Sequence, residues 1–192
     1  RYIANRSSGA QGTAIAAALR DLGARVTFVT GPAEVAPPEG VAVVPVATAA
    51  EMAAAVDAAL PADVAVMAAA VADWRVANAS GSKMKKGAGG MPSLTFAENP
   101  DILAGVSKGA RRPGLVVGFA AETDDVTVHA QAKRVRKGCD WIVANDVSPG
   151  TGIMGGAENA VTLVTAEGAE DWPRLSKVET ARRLARRIAE AL

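Results

Sequence analysis

Apolar residues along the chain gather in short β-branched runs, and between these runs they recur at helical spacing. ARVTFVTG (24–31), VAVVPVA (41–47), DVAVMAAAVAD (63–73), GLVVGFAAE (114–122), WIVANDV (141–147) and AVTLVTAEG (160–168) predict strands, with a further short strand at 94–97. After SSGAQG (7–12), Ala14, Ile15, Ala18, Leu19 and Leu22 share one helical face that Gly23 closes. An Ala-rich helix is predicted over 48–60, with Thr48 and Glu51 in capping-box spacing. Another is predicted over 99–109, with Asn99 as cap, Pro100 at the first helical position and Asp101 in the first turn. A charged helix follows over 124–137. A last helix spans 176–192, with a Ser176/Glu179 capping box and a Val178, Ala181, Ala185, Ile188, Leu192 stripe. ANASGSKMKKGAGGMPS (77–93) has no apolar periodicity and is predicted to be a mobile Lys/Gly-rich flap.

Continuous apolar strands alternating with helices imply a mostly parallel sheet covered on both faces. The expected fold is therefore a single α/β domain, a Rossmann-like three-layer αβα arrangement. In such folds ligands bind beyond the carboxyl ends of the strands. This directs attention to 68–75, 119–123 and 144–148, together with the turn at 7–12. Composition narrows the chemistry further. One Cys and one His in 192 residues supply neither a disulfide framework nor a structural zinc site, and a reducing, cytoplasmic setting is expected. A net charge of +1 argues against a nucleic-acid surface, and no apolar run approaches the roughly 18 residues of a membrane span. The sequence opens at Arg1 without an initiator Met, so it is read as part of a longer chain.

Each candidate constellation has an ordinary reading beside its functional one. SSGAQG feeding a helix offers backbone N–H groups to an anion, yet it lacks the Lys of a Walker motif and the full dinucleotide fingerprint, so it equally reads as a glycine turn. AAAVADWR (68–75) ends a strand in residues too small to block a ligand and sets Asp73 at the mouth, where it either holds a ligand group or Mg²⁺ or caps the next turn. KMKK (83–86) is suited to closing over a polyphosphate, or is a solvated loop. Lys133 and Lys137 lie four apart on one helical face and either converge on a ligand or face solvent. His129 has no Ser nucleophile motif or strand-end acid to make a triad, Cys139 reads as a buried thiol, and Arg182, Arg183, Arg186 and Arg187 read as a solvated helix face.

RYIANRSSG (1–9), AAVADWR (69–75), KMKK (83–86), NPDIL (99–103), GFAAET (118–123) and KRVRKGCDWIVANDV (133–147) together resemble phosphopantothenoylcysteine synthetase, with the strings in family order across essentially the whole chain. The resemblance implies a ligase of coenzyme A biosynthesis. Such an enzyme activates 4'-phosphopantothenate with CTP as an acyl-cytidylate, releasing pyrophosphate, and then joins it to L-cysteine with release of CMP. It further implies Ser7, Ala69, Asp73, Lys83, Pro100, Asp101, Ile102, Leu103, Phe119, Lys133 and Lys137 around CTP. Arg1, Asn5, Ala69, Ala70 and Asp73 are implied around the pantothenate moiety, with Arg1 reaching in from the other subunit of a homodimer whose active sites are shared. Asn5 and Lys83 are the implied catalytic residues, and Mg²⁺ accompanies the CTP phosphates, with Asp73 as its candidate ligand. The family has a strand and a Gly/Thr loop before the position of Arg1. In bacteria it commonly has a fused decarboxylase domain before that, the only place for FMN. Residues 1–192 are thus expected to form a synthetase domain without its first strand. The competing readings are an NAD(P)-dependent short-chain-type oxidoreductase and a non-catalytic nucleotide-binding domain. The first lacks its Tyr-x-x-x-Lys pair, since Tyr2 is the only tyrosine.

Overall fold

The computed structural model describes Asn5 and residues 7–78, 93–148 and 158–192. In chain order the elements are α1 (Ala10–Asp21), β1 (Thr27–Thr30), β2 (Ala42–Pro45), α2 (Ala49–Ala58), β3 (Val64–Met67), β4 (Trp74–Val76), β5 (Phe96–Glu98) and α3 (Ile102–Lys108). They continue with β6 (Leu115–Glu122), α4 (Val126–Lys137), β7 (Trp141–Asp146), β8 (Glu158–Asn159), β9 (Val161–Val164), β10 (Ala169–Asp171), β11 (Leu175–Ser176) and α5 (Lys177–Glu190).

The central sheet has the order β10-β9-β7-β6-β3. Its β3, β6 and β7 run parallel, in the register Val64↔Leu115 to Met67↔Gly118 and Val117↔Trp141 to Glu122↔Asp146. β1 and β2 form a further parallel pair. Strand 160–168, predicted as one more strand of the same sheet, is shorter and lies antiparallel on β7, with β10 antiparallel beyond it. The return is tight, Thr165 N–H donating to Gly168 C=O at 2.8 Å.

Alternation along β6 and β7 sorts their side chains between two cores. Val117, Phe119, Trp141 and Val143 join Ile15 and Ala18 of α1 and Ala181, Leu184, Ala185 and Ile188 of α5. Val116, Ala120, Ile142 and Ala144 join Val106 of α3, Ala130 of α4 and, from the second helix and the residues after it, Val56 and Leu60. Helices thus cover both faces, as the apolar pattern predicts. Gly118 lies on the second face, where an added Cβ would stand 2.6 Å from Leu103 Cδ2 and 2.8 Å from Ile142 Cδ1. The missing side chain is what lets α3 sit so close to the sheet.

Several sequence expectations are corrected. The cap of α3 is Asp101, whose Oδ1 accepts from Ala104 N–H at 3.1 Å; Asn99 and Pro100 precede the helix. Asn99 turns its amide elsewhere, and Asp101 is the first residue with a carboxylate three positions before a free helical N–H. On α5 the capping box forms as predicted, but the buried face is Thr180, Ala181, Leu184, Ala185 and Ile188. Val178, in the first turn, is 50% exposed, and Leu192, beyond the helix end at Glu190, 74%. The stretch predicted as one loop over 77–93 begins and ends in a hairpin: β4 pairs antiparallel with β5, and Ala77 N–H continues the ladder to Thr95 C=O at 2.7 Å. The Asn78 amide then donates to Ser93 C=O at 3.0 Å and accepts from Thr95 N–H at 3.1 Å. The KMKK flap and Arg1 lie outside the described residues.

Candidate functional site

The strand ends are built from small residues held by amides. β3 stops at Met67, and Ala69 and Ala70 beyond it are exposed, so backbone at the strand mouth is open to a ligand. Asn5 Nδ2 donates to Val71 C=O at 3.2 Å, from one side of this segment. Asn99 Nδ2 donates to Ala72 C=O at 2.8 Å and Asn99 N–H to Asp73 C=O at 2.8 Å, from the other. Asn5, Ala69, Ala70 and Asp73 are therefore brought together, and Asn99, which the sequence reading cast as a helix cap, is the clamp. The Asp73 carboxylate is exposed and has no partner among the described residues. No group of three or more His, Cys, Asp or Glu among the described residues could hold a metal ion. A single carboxylate beside substrate phosphates is, however, an ordinary setting for Mg²⁺, so Asp73 fits that ion.

At the turn before α1, Gly9 adopts φ 77°, and an added Cβ would meet Ala33 Cβ at 2.6 Å. Both facts require glycine. Ser7 is exposed, its Oγ accepting from Gly9 N–H at 3.3 Å, and Ser8 Oγ accepts from Ala10 N–H, the first of α1, at 3.4 Å. Phe119 is half-buried against the α1/α5 core. Asn145 follows on the same face of the neighbouring strand, and its Oδ1 is buried without a hydrogen-bond donor among the described residues. The sequence reading passed over Asn145. A polar residue ending an apolar strand, on the phase of Trp141 and Val143, was the signal that could have found it.

On the opposite face, His129, Lys133 and Lys137 form one stripe of α4 at successive four-residue steps, and helical side chains tilt back toward the helix N-terminus, here the end of β6. Sequence spacing leaves the two lysines either converging on a ligand or facing solvent; in the structure their partners differ. Lys137 Nζ donates to Asp101 Oδ2. Burial alone would raise the Asp101 carboxyl, but this bond, the one from Ala104 N–H and the charges of Lys137 and Arg136 hold it below the usual carboxylate range. Lys133 has no ion-pair partner among the described residues. Burial pushes its ammonium down from the ordinary lysine value, against the opposing charges of Glu122 and Asp73 and with the help of Lys137 and Arg136. Pro100 is exposed, whereas the side chains of Ile102 and Leu103 pack into the α3/α4 core, which leaves backbone as what these two can offer a ligand.

His129 is exposed and does meet a strand-end acid, with Nδ1 3.8 Å from Glu122 Oε2, but no nucleophile among the described residues completes a triad. Cys139 is buried as expected, and burial raises its thiol. Of the α5 arginines, Arg182, Arg186 and Arg187 are exposed as expected, whereas Arg183 pairs with Glu170 at 2.7 Å and lies 4.7 Å over the Trp172 ring. No helix among the described residues is long and apolar enough to cross a membrane.

The chain is 44% identical over 176 residues to the coenzyme A biosynthesis bifunctional protein CoaBC of Escherichia coli (strain K12), covering 90% of this chain and 43% of that protein. It is 48% identical over 162 residues to the protein of the same name from Mycobacterium tuberculosis (strain ATCC 25618 / H37Rv), covering 78% of this chain and 38% of that one. It thus spans less than half the length of these relatives. Among solved structures, the C-terminal domain of the coenzyme A biosynthesis bifunctional protein CoaBC superposes with a TM-score of 0.79 at 32% identity, covering 99% of this chain and 86% of that one. The family profile described as the DNA/pantothenate metabolism flavoprotein C-terminal domain matches residues 1–192, and the chain belongs to that family.

Proposed function

We propose that residues 1–192 form a CTP-dependent phosphopantothenate–cysteine ligase domain, acting in coenzyme A biosynthesis. The observation that carries this reading is the meeting of two half-sites at one set of strand ends. The amide-clamped 68–73 segment with Asp73 lies beside the Phe119–Asn145 face and the Lys133 ammonium.

A carboxylate does not acylate an amine without activation. In the proposed sequence the phosphopantothenate carboxylate oxygen bonds to the α-phosphorus of CTP as the bond to the β-phosphate bridging oxygen breaks, releasing pyrophosphate. The cysteine amine then attacks the acyl carbon, the C–O bond to CMP breaks, and the amine loses a proton. This chemistry calls for fixed positive charge and hydrogen bonds, not for a protein nucleophile. Lys133, Lys137 and Lys83 supply the charge. Lys137 must share or release Asp101 to do so, so Lys133 is the readier cation. Phe119 offers an apolar surface to the base, and Asn145 Oδ1 an acceptor for a base amine or ribose hydroxyl. The Ser7 hydroxyl and the N–H groups of the first turn of α1 beyond Ala10 offer donors to phosphate. Asn5 already spends an N–H on Val71, and its remaining polar atoms hydrogen bond the activated intermediate; an amide is no base at neutral pH. Mg²⁺, held by Asp73 and CTP oxygens, would neutralise phosphate charge. The single buried thiol accords with a reducing, cytoplasmic setting.

A homodimer is part of the same reading. Trp74, Val76, Phe96 and Glu98 share one face of the β4–β5 hairpin by register, and Trp74 and Phe96 are 52% and 50% exposed. In this reading Arg1 of the partner subunit serves the pantothenate side, as the family resemblance implies. Trp74→Glu is expected to turn a dimer into a monomer in sedimentation measurements and to abolish most turnover. A variant that stays dimeric would move the interface elsewhere. A fused decarboxylase domain, with any FMN, belongs to the chain outside these residues.

The chemistry is tested by omitting cysteine. With CTP and phosphopantothenate alone, a single-turnover mixture is expected to release one pyrophosphate per active site and to retain an acyl-cytidylate. A phosphorylated in place of a cytidylylated intermediate would move the reaction to acyl-phosphate chemistry. No pyrophosphate without cysteine would rule out the two-step route, and hydride transfer to NAD(P) would favour the oxidoreductase reading.

A further inference from the structure

Glu122 closes β6 on the same sheet face as Val116 and Ala120, the face that α4 covers. Its carboxylate is three-quarters buried and lies 3.8 Å from His129 Nδ1, one helical turn from Lys133. The α4 stripe therefore has an acid at each end, Glu122 beside His129 and Asp101 on Lys137, with Lys133 between them and unpaired among the described residues. A half-buried lysine with a long flexible stem and no ion pair needs something to keep its head group charged and aimed at the strand ends.

We propose that Glu122 is a positioning residue of the nucleotide site: from the end of β6, beside His129 one helical turn from Lys133, its carboxylate draws the Lys133 ammonium toward the strand ends without forming an ion pair with it in the ligand-free protein. This rests on the CTP reading above and adds to it a residue that touches no substrate. Burial disfavours the Lys133 charge, and of the two carboxylates that oppose this Glu122 acts more strongly than Asp73. Lys137 and Arg136, on the same helix, push the other way. Asp101 is occupied by Lys137, and Asp146, the cross-strand neighbour of Glu122, is engaged by Ser148 N–H and Oγ. Protonated His129 would compete for the Glu122 carboxylate, so the effect is read on the alkaline side, away from the range in which imidazoles ordinarily titrate.

The test follows the lysine Nζ resonances of the ligand-free protein through an alkaline titration, with Lys133 assigned by its loss in Lys133→Arg. In Glu122→Gln the Lys133 midpoint is expected to fall by about one pH unit, as for loss of a nearby opposite charge. Glu122→Asp, which keeps the carboxylate, is expected to fall less and serves if the amide variant does not fold. CTP affinity, measured by calorimetry, should lose its alkaline limb at correspondingly lower pH in Glu122→Gln. That shift should vanish in the Lys133→Arg background, because a guanidinium does not titrate there. An unchanged Lys133 midpoint in Glu122→Gln, or an affinity shift that persists with Arg at 133, overturns the proposal. If the unmodified protein binds no CTP, the nucleotide reading fails, and the ligand-free titration alone decides on Glu122.

Discussion

Lys83→Ala is expected to lower turnover at saturating CTP by about 10²–10³, the usual cost of removing one preorganised donor from a site where charge develops. In the proposed reaction negative charge would build on the α-phosphate and the departing pyrophosphate as the carboxylate attacks, so a Lys83 ammonium at the phosphates would act mainly in the transition state. The loss should therefore fall on kcat more than on KM. Stability should stay within about 0.5 kcal/mol of the unsubstituted protein, as for surface changes in general. Lys85→Ala and Lys86→Ala are the controls. If the segment contributed only diffuse charge, all three substitutions would be mild and alike, and that result would remove Lys83 from the catalytic machinery.

The second large effect is structural in origin and functional in reach. Gly118→Ala introduces a Cβ 2.6 Å from Leu103 and 2.8 Å from Ile142, too close for either to remain in place. Ile142 is fully buried in the sheet, so the change is absorbed by α3. Overpacking of this kind costs roughly 1–3 kcal/mol. In a chain of this size, Tm should fall by about 2–4 °C for each kcal/mol. Displacing Leu103 also displaces Asp101, two residues earlier, and with it the Lys137 pairing and the Asn99 clamp. The KM for CTP should rise together with the loss of Tm. A variant with reduced Tm and unaltered KM would show that α3 can retreat without disturbing the site.

What the sequence discloses and what it hides follow a physical division. β6 and β7 are legible because strands buried on both faces must be apolar throughout, and the capping boxes at Thr48 and Ser176 are legible because they are local. Asp73, Lys133 and Asn5 could be singled out by residue type and resemblance. Their partners could not. Asn99 gives up the cap for carbonyls 26 and 27 residues away, a long-range competition that no window of sequence contains. Of the β4–β5 hairpin only the second strand is legible, near 94–97; β4 and the pairing escape notice because three-residue strands beside a Gly-rich segment carry no period of their own. Glu122 and His129 read as unrelated until the turn between β6 and α4 folds one onto the other. The antiparallel placement of β9 is equally a matter of topology, since its apolar pattern is the same in either direction.

Because the sheet separates two layers, it also acts as a partition for packing. Phe119 and Asn145 share the layer of α1 and α5, whereas Lys133, Lys137, Asp101 and Glu122 belong to the layer of α3 and α4, and buried strand backbone stands between them. Substitutions that are well separated and share no partners combine almost additively, within about 0.3–0.5 kcal/mol. For folding stability the two layers are then separable, open to being repacked one at a time on opposite sides of a wall.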